Sequence, residues 1–302
     1  MRRFPVFVIL FLGVLGALPA PVSAGPSVPK GASTHELAHD GVTRSYRLYV
    51  PESAPRHPAV VVVLHGGLGV GAGAIRQGRW DEAADEHGFV TVAPNGRFRS
   101  WNAGECCGPA AATDVDDVGF VLAVLDEVTD MVNADTRRVY ATGISNGGMM
   151  SYRLACEASR RFAAFAPVAA ALVVDDCDPS APVSLLHIHG FADQNVPFEG
   201  GKPTKSFQPN PPTYEPVRDG VETIARADRC RRKTTTDTAG AVTTERWRRC
   251  RGDTDVQLLT IEGGGHSWPG GERLAAFLDR PSDALDATAR IVRFFEAHAR
   301  KR

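Results

Sequence analysis

The run AVVVVLHGG, residues 59–67, is apolar at every position up to His65 and then breaks on two glycines. A strand that carries β-branched side chains on both faces has no face to give to solvent. It belongs in the interior of a parallel sheet with helices above and below, which excludes an all-helical bundle and a β-sandwich. The rest of the chain repeats that unit. Strand patterns at 89–93, 138–142, 165–168, 183–189 and 256–261 are interleaved with helical patterns at 80–87, 118–132, 146–158, 217–229 and 284–299. Such alternation predicts an α/β fold with a mostly parallel, doubly wound sheet and helices on both faces. Segments 34–38 and 42–50 flank the turn dipeptide Asp40-Gly41 and predict a β-hairpin at one edge of the sheet.

The first 24 residues stand apart from that pattern. Arg2 and Arg3 precede an apolar run over 6–18, and Val22-Ser23-Ala24 offers small residues for cleavage, the make-up of a secretory leader. Residues 1–24 are therefore expected to be a signal peptide and 25–302 a single catalytic domain, secreted to the extracellular or periplasmic space and monomeric. The leader's apolar run is too short to span a bilayer comfortably and no second spanning run follows, so no membrane association is expected after cleavage. The formal charge is −1, and −3 once Arg2 and Arg3 are removed, which gives no whole-molecule attraction to nucleic acid or to an anionic membrane.

All six cysteines follow the leader, and an even count in an exported chain points to disulfides. Cys230 and Cys250 share a polar segment and are expected to pair. Cys106, Cys107, Cys156 and Cys177 leave three pairings open, with Cys156 tied to one of the other three. The thiols show no C-x-x-C spacing and the histidines no helical pair, so no metal site is expected. The Cys230–Cys250 pairing would bring RADRCRRK beside ERWRRCR, a basic surface that reads either as a solvated face or as a dock for an anionic polymer.

The candidate chemistry begins at GISNG, residues 143–147, a G-x-S-x-G motif between a predicted strand and a predicted helix. Glycines at 143 and 147 permit a sharp turn that leaves the Ser145 hydroxyl exposed at the strand's C-terminal edge. A serine needs a base, and the base needs an orienting carboxylate. HIHGFADQNVP places Asp193 just past one buried strand, and TIEGGGHSWPGG places His266 just past another. The order nucleophile, acid, histidine is the one this kind of sheet uses, and strand C-terminal ends are where its ligands gather. The Asn146 and Gly67 N–H groups are the expected oxyanion donors, with Leu68 second on its loop and lining the substrate site. His65, His187 and His189 read as structural. Trp101 and Trp268 flank the site loops, where each either offers a flat face to substrate or packs the loop base. The proline-rich stretch 199–216 reads as a lid, with Phe207 and Tyr214 placed to cap an acyl pocket.

Taken together, LHGGLG, DEHGFVTVAPNG, RSWNAGECCGPA, DVGF, YATGISNGGMMSYRLAC, HIHGFADQNVPFEGG and GGGHSWPGG resemble the secreted esterase family of polyhydroxybutyrate depolymerases and type C and D feruloyl esterases. The similarity runs from about Tyr46 to the last helix. It implies an α/β-hydrolase fold, carboxylic ester hydrolysis by Ser145, Asp193 and His266, and no cofactor. The implied partner is an ester substrate, polymeric where the acyl group sits on a polyester or a plant polysaccharide. Two other functions fit the same residues: acyl transfer on the same triad, and a non-catalytic polysaccharide-binding protein that keeps the fold.

Overall fold

The computed structural model describes residues 28–206, 211–231, 235–276 and 278–300. The predicted leader, Phe207, Arg232 and Lys233 lie outside the described residues. In chain order the elements are β1 (Gly31–His39), β2 (Val42–Val50), β3 (Val60–Leu64), α1 (Gly71–Gly78), α2 (Trp80–His87), β4 (Val90–Pro94), α3 (Gly108–Ala112), α4 (Asp117–Met131), β5 (Val139–Ile144), α5 (Asn146–Glu157), β6 (Ala164–Val168), β7 (Ser184–Gly190), α6 (Val217–Ala227), β8 (Thr235–Ala239), β9 (Val242–Trp247), β10 (Val256–Ile261) and α7 (Ala287–Glu296).

The strands form one sheet in the order β1-β2-β4-β3-β5-β6-β7-β10-β9-β8. Pairing is parallel from β4 through β3, β5, β6 and β7 to β10. An antiparallel hairpin extends the sheet at each end. The β1–β2 hairpin appears at the expected edge and turns at Asp40-Gly41, both with positive φ. The β8–β9 hairpin was not foreseen from the sequence. Its outer strand, TTDTA, is exposed at every residue and so has no apolar alternation to betray it. Helix α1 was also not foreseen, because GAGAIRQG carries three glycines in eight residues.

Every residue of β3 is buried, as its sequence requires. That burial contributes on the order of 10 kcal/mol before chain entropy is charged against it. The two faces of the sheet have separate cores. On one, Phe120 and Leu125 of α4, Met149 and Leu154 of α5 and Val221 of α6 pack together. On the other, Ile75 of α1, Trp80 and Ala84 of α2 and Ile291 of α7 do so. Strand β4 lies on one side of β3 and β5 on the other, so the winding reverses between β3 and β5. The crevice at such a reversal, beyond the strands' C-terminal ends, is where open α/β sheets bind ligands.

The cysteines pair as Cys156–Cys177, Cys230–Cys250 and Cys106–Cys107. Around the second of these the Arg231 N–H donates to the Arg248 carbonyl, which joins the two basic segments.

Candidate active site

Ser145 sits between β5 and α5 with φ 56° and ψ −126°, a backbone conformation that L-residues rarely adopt. Its N–H donates to the Val168 carbonyl of the neighbouring strand, and its carbonyl accepts the first helical bond from Met149. The flanking glycines are needed for space. A Cβ on Gly147 would lie 2.3 Å from the Leu64 carbonyl oxygen and 2.5 Å from that of His65, while one on Gly143 would meet the Gly147 backbone at 2.6 Å. Helix, nucleophile strand and β3 therefore approach more closely than any side chain permits, and the chain must turn sharply at Ser145.

Asp193 follows β7 and His266 follows β10, and the structure brings their side chains together. His266 Nδ1 lies 2.7 Å from Asp193 Oδ2. The other carboxylate oxygen accepts the Asn195 and Val196 amides at 2.8 and 2.9 Å. Burial alone would push the Asp193 carboxyl up, but His266, His189 and the Val196 amide together outweigh it and hold it below the ordinary carboxylate range. An anionic Asp193 fixes the proton of His266 on Nδ1 and turns Nε2 into the basic nitrogen.

On the oxyanion side, Asn146 is the first residue of α5, where the helix supplies no acceptor for the backbone N–H. On the facing loop the Leu68 N–H is committed to the Arg99 carbonyl at 2.8 Å, which leaves Gly67 as that loop's candidate donor. Leu68 itself has φ 62° and an exposed side chain.

The two tryptophans expected to flank substrate are buried, which corrects the flat-face reading. Trp101 is fully enclosed, and its Nε1 donates to the His65 carbonyl at 2.9 Å. The Asn146 side chain grips the Trp101 backbone at both ends, accepting its N–H at 2.7 Å and donating to its carbonyl at 2.9 Å. Asp117 extends the grip by accepting the Asn102 N–H at 2.7 Å. Trp268 packs edge-on against Trp80, and its Nε1 donates to Thr288 at 2.9 Å. Both rings brace loop bases, because each indole N–H finds its partner inside the protein.

His65 is likewise structural. Its Nδ1 donates to the Gly66 carbonyl at 2.8 Å and its Nε2 accepts the Gly96 N–H at 2.9 Å, with burial lowering its pKa to about 4. Tyr214 is buried, and burial together with the nearby Asp193 charge raises its phenol to about 12. Its backbone bridges Gly201, which folds the 199–216 stretch back on itself.

One residue with a clear part in the site escaped the sequence reading. Asp279 accepts the backbone N–H of His266 at 2.9 Å through Oδ2 and receives Lys205 Nζ on Oδ1 at 3.1 Å. Lys205 and Thr204 also donate their amides to the Gln194 carbonyl. The proline-rich stretch is thus tied to both the Asp193 and His266 loops. Nothing in FLDRPSD marks that role.

Among the described residues no group of three His, Cys, Asp or Glu side chains could hold a metal ion, and no helix is long and apolar enough to cross a membrane.

A model of the prolyl oligopeptidase family matches residues 83–178, which include Ser145 but neither Asp193 nor His266. The chain is 33% identical over 269 residues to the putative esterase NocK of Nocardia uniformis subsp. tsuyamanensis, covering 83% of this chain and 78% of that protein. It is 30% identical over 206 residues to the probable feruloyl esterase C of Aspergillus niger, covering 64% of this chain and 72% of that protein. The chain spans about a third of the length of two other curated relatives. The solved poly(3-hydroxybutyrate) depolymerase LpqC of Bordetella parapertussis shares the fold, with a TM-score of 0.53 and 21% identity over 79% of this chain and 86% of that one.

Proposed function

We propose that this chain, which belongs to the esterase family of the type C feruloyl esterases, is an exported serine esterase working through an acyl-enzyme on Ser145. The observation that carries the reading is the 2.7 Å contact between Asp193 and His266 on the sheet edge where the strained turn presents Ser145.

In the proposed cycle His266 Nε2 takes the Ser145 proton as Oγ attacks the ester carbonyl. Asp193 keeps the imidazole in the productive tautomer and stabilises the imidazolium that forms. The Asn146 and Gly67 N–H groups receive the oxyanion, a contribution worth about 3 kcal/mol for one donor in a comparable site. His266 then protonates the leaving alkoxide as the tetrahedral centre collapses. Water, deprotonated by the same nitrogen, attacks the acyl-enzyme, and the acid leaves as the Oγ–acyl bond breaks and His266 returns the proton to Ser145 Oγ.

The sheet edge that carries Ser145 favours an apolar acyl group. Among the described residues the exposed large hydrophobics are Leu68 and Val70 after β3, Phe98 after β4 and Phe191 after β7. All four lie on loops at the C-terminal sheet edge, on either side of the strand that carries Ser145. Relatives named as feruloyl esterase, and a structural neighbour named as a poly(3-hydroxybutyrate) depolymerase, support esters borne on a polymer as the substrate class. Export is supported by the leader-like N-terminus and by three disulfides, which persist outside the cytosol.

The test is a hydrolysis panel of methyl ferulate, acetylated xylan, short p-nitrophenyl esters and 3-hydroxybutyrate oligomers. The expected result is a higher kcat/KM for feruloyl or hydroxybutyryl esters than for acetyl esters. Leu68→Ser with Phe191→Ser should lower the first group selectively. Acetyl esters as the best substrates, unaffected by that pair, would overturn the apolar-acyl assignment.

A further inference from the structure

Behind the candidate triad lies a row of buried polar side chains that the hydrolytic cycle does not use. The Tyr152 hydroxyl is 2.8 Å from His187 Nδ1, His187 Nε2 is 3.0 Å from His189 Nδ1, and His189 Nε2 is 2.9 Å from the Val196 carbonyl. All three side chains are buried, and the two imidazoles stack with their planes 15° apart. His189 Nε2 also stands 3.5 Å from Asp193 Oδ2, the oxygen that His266 engages.

The direction of every bond in this row follows from its end. A carbonyl only accepts, so His189 must carry its proton on Nε2. A neutral His189 then has a lone pair on Nδ1, which obliges His187 to donate from Nε2. That leaves the His187 Nδ1 lone pair to receive the Tyr152 hydroxyl proton. Burial disfavours a second proton on either imidazole. Tyr152 lies on α5, the helix that begins at the nucleophile turn, and Val196 lies in the turn that folds around Asp193.

We propose that Tyr152, His187 and His189 are positioning residues for ester hydrolysis: a one-directional hydrogen-bond row that ties the nucleophile helix to the Asp193 turn and holds the His189 N–H dipole, donated to Val196, beside the Asp193 carboxylate. The proposal rests on the reading of Asp193 as the orienting carboxylate. Without the His189 N–H, Asp193 presents more negative potential to His266, so the His266 imidazolium is stabilised. The titratable groups around the pair are His266, His189 and Tyr214 at Asp193, with Asp279 and its partner Lys205 on the backbone side of His266.

Two measurements test it. The first is the pH profile of kcat/KM for p-nitrophenyl butyrate. His189→Phe is expected to move the acidic limb to higher pH by roughly half a unit through loss of the N–H dipole beside Asp193, and to lower kcat at least tenfold with KM little changed. His189→Gln can still donate to Val196 and should return the limb to its wild-type position. Tyr152→Phe, which deletes only a hydroxyl, should lower kcat about fivefold with a smaller limb shift in the same direction. A wild-type limb in folded His189→Phe, or wild-type kcat in Tyr152→Phe, overturns the proposal.

The second measurement uses the wild-type protein and needs no catalysis. Nitrogen-15 spectra should show His187 and His189 both neutral at pH 7.5 with the proton on Nε2, and a proton on Nδ1 of either ring overturns the row. The underlying reading fails separately: hydrolysis that survives Ser145→Ala would refute the esterase mechanism while leaving the nitrogen spectra unchanged.

Discussion

At the scale of single residues, the positions proposed to carry chemistry stand out in the sequence because each sits next to a structural signal. Ser145 has its glycines, and Asp193 and His266 each follow a buried strand in the order the sheet requires. Their supports were not legible. Asp279 accepts the His266 amide from 13 positions away in sequence, and the Tyr152–His187–His189 row depends on Tyr152 of α5, a helix packed on β5 and β6, reaching His187 of β7. Trp101 and Trp268 illustrate the same limit, since their neighbourhood in sequence was right but the side to which each ring points depends on packing. His65 makes a residue-scale prediction. Its folded pKa of about 4 lies below the ordinary 6.5, so the unfolded chain takes up the proton first. The His65 contribution to stability is intact above about pH 6.5 and is lost as pH falls toward about 4. Urea unfolding at pH 7 and pH 4.5 should show a smaller stability difference in His65→Gln than in wild type, by about 2–3 kcal/mol. An equal difference in both would place the acid sensitivity elsewhere.

At the scale of elements, most ends of the central strands were found within two residues because each is an apolar run bounded by polar or glycine signals. The outer hairpin of β8 and β9 was invisible because its edge strand buries nothing. The proline-rich stretch was expected to act as a lid. The described part of it is held by the Gly201–Tyr214 bridge, by the Gln194 carbonyl and by Lys205 on Asp279. These ties are unequal in consequence. The Lys205–Asp279 pair is largely exposed and should contribute under about 1 kcal/mol. The bond from the His266 amide to Asp279 fixes the loop that presents the proposed base. Asp279→Ala is therefore expected to lower kcat about tenfold, whereas Lys205→Ala should lower it less than about threefold. Equal effects would mean that Asp279 acts only through the ion pair.

At the scale of the whole molecule, six parallel strands place three loops of distant sequence on one edge, and the two cores on opposite faces fix the sheet between them. The cross-links act on the same scale. Cys156–Cys177 and Cys230–Cys250 close loops with separations of 21 and 20 residues. Each is expected to stabilise the chain by up to about 3 kcal/mol on a loop-entropy argument. Reduction before thermal unfolding should lower Tm by about 10 °C, and an unchanged Tm would mean that these bonds do not contribute to the native state. The central claim, that the whole arrangement serves one nucleophile, is tested most directly by intact-mass measurement after exposure to a fluorophosphonate. The account predicts a single adduct that maps to the peptide containing Ser145, disappears in Ser145→Ala, and abolishes ester hydrolysis as it forms. A folded wild-type protein that hydrolyses esters without labelling, or that labels at another residue, would contradict it.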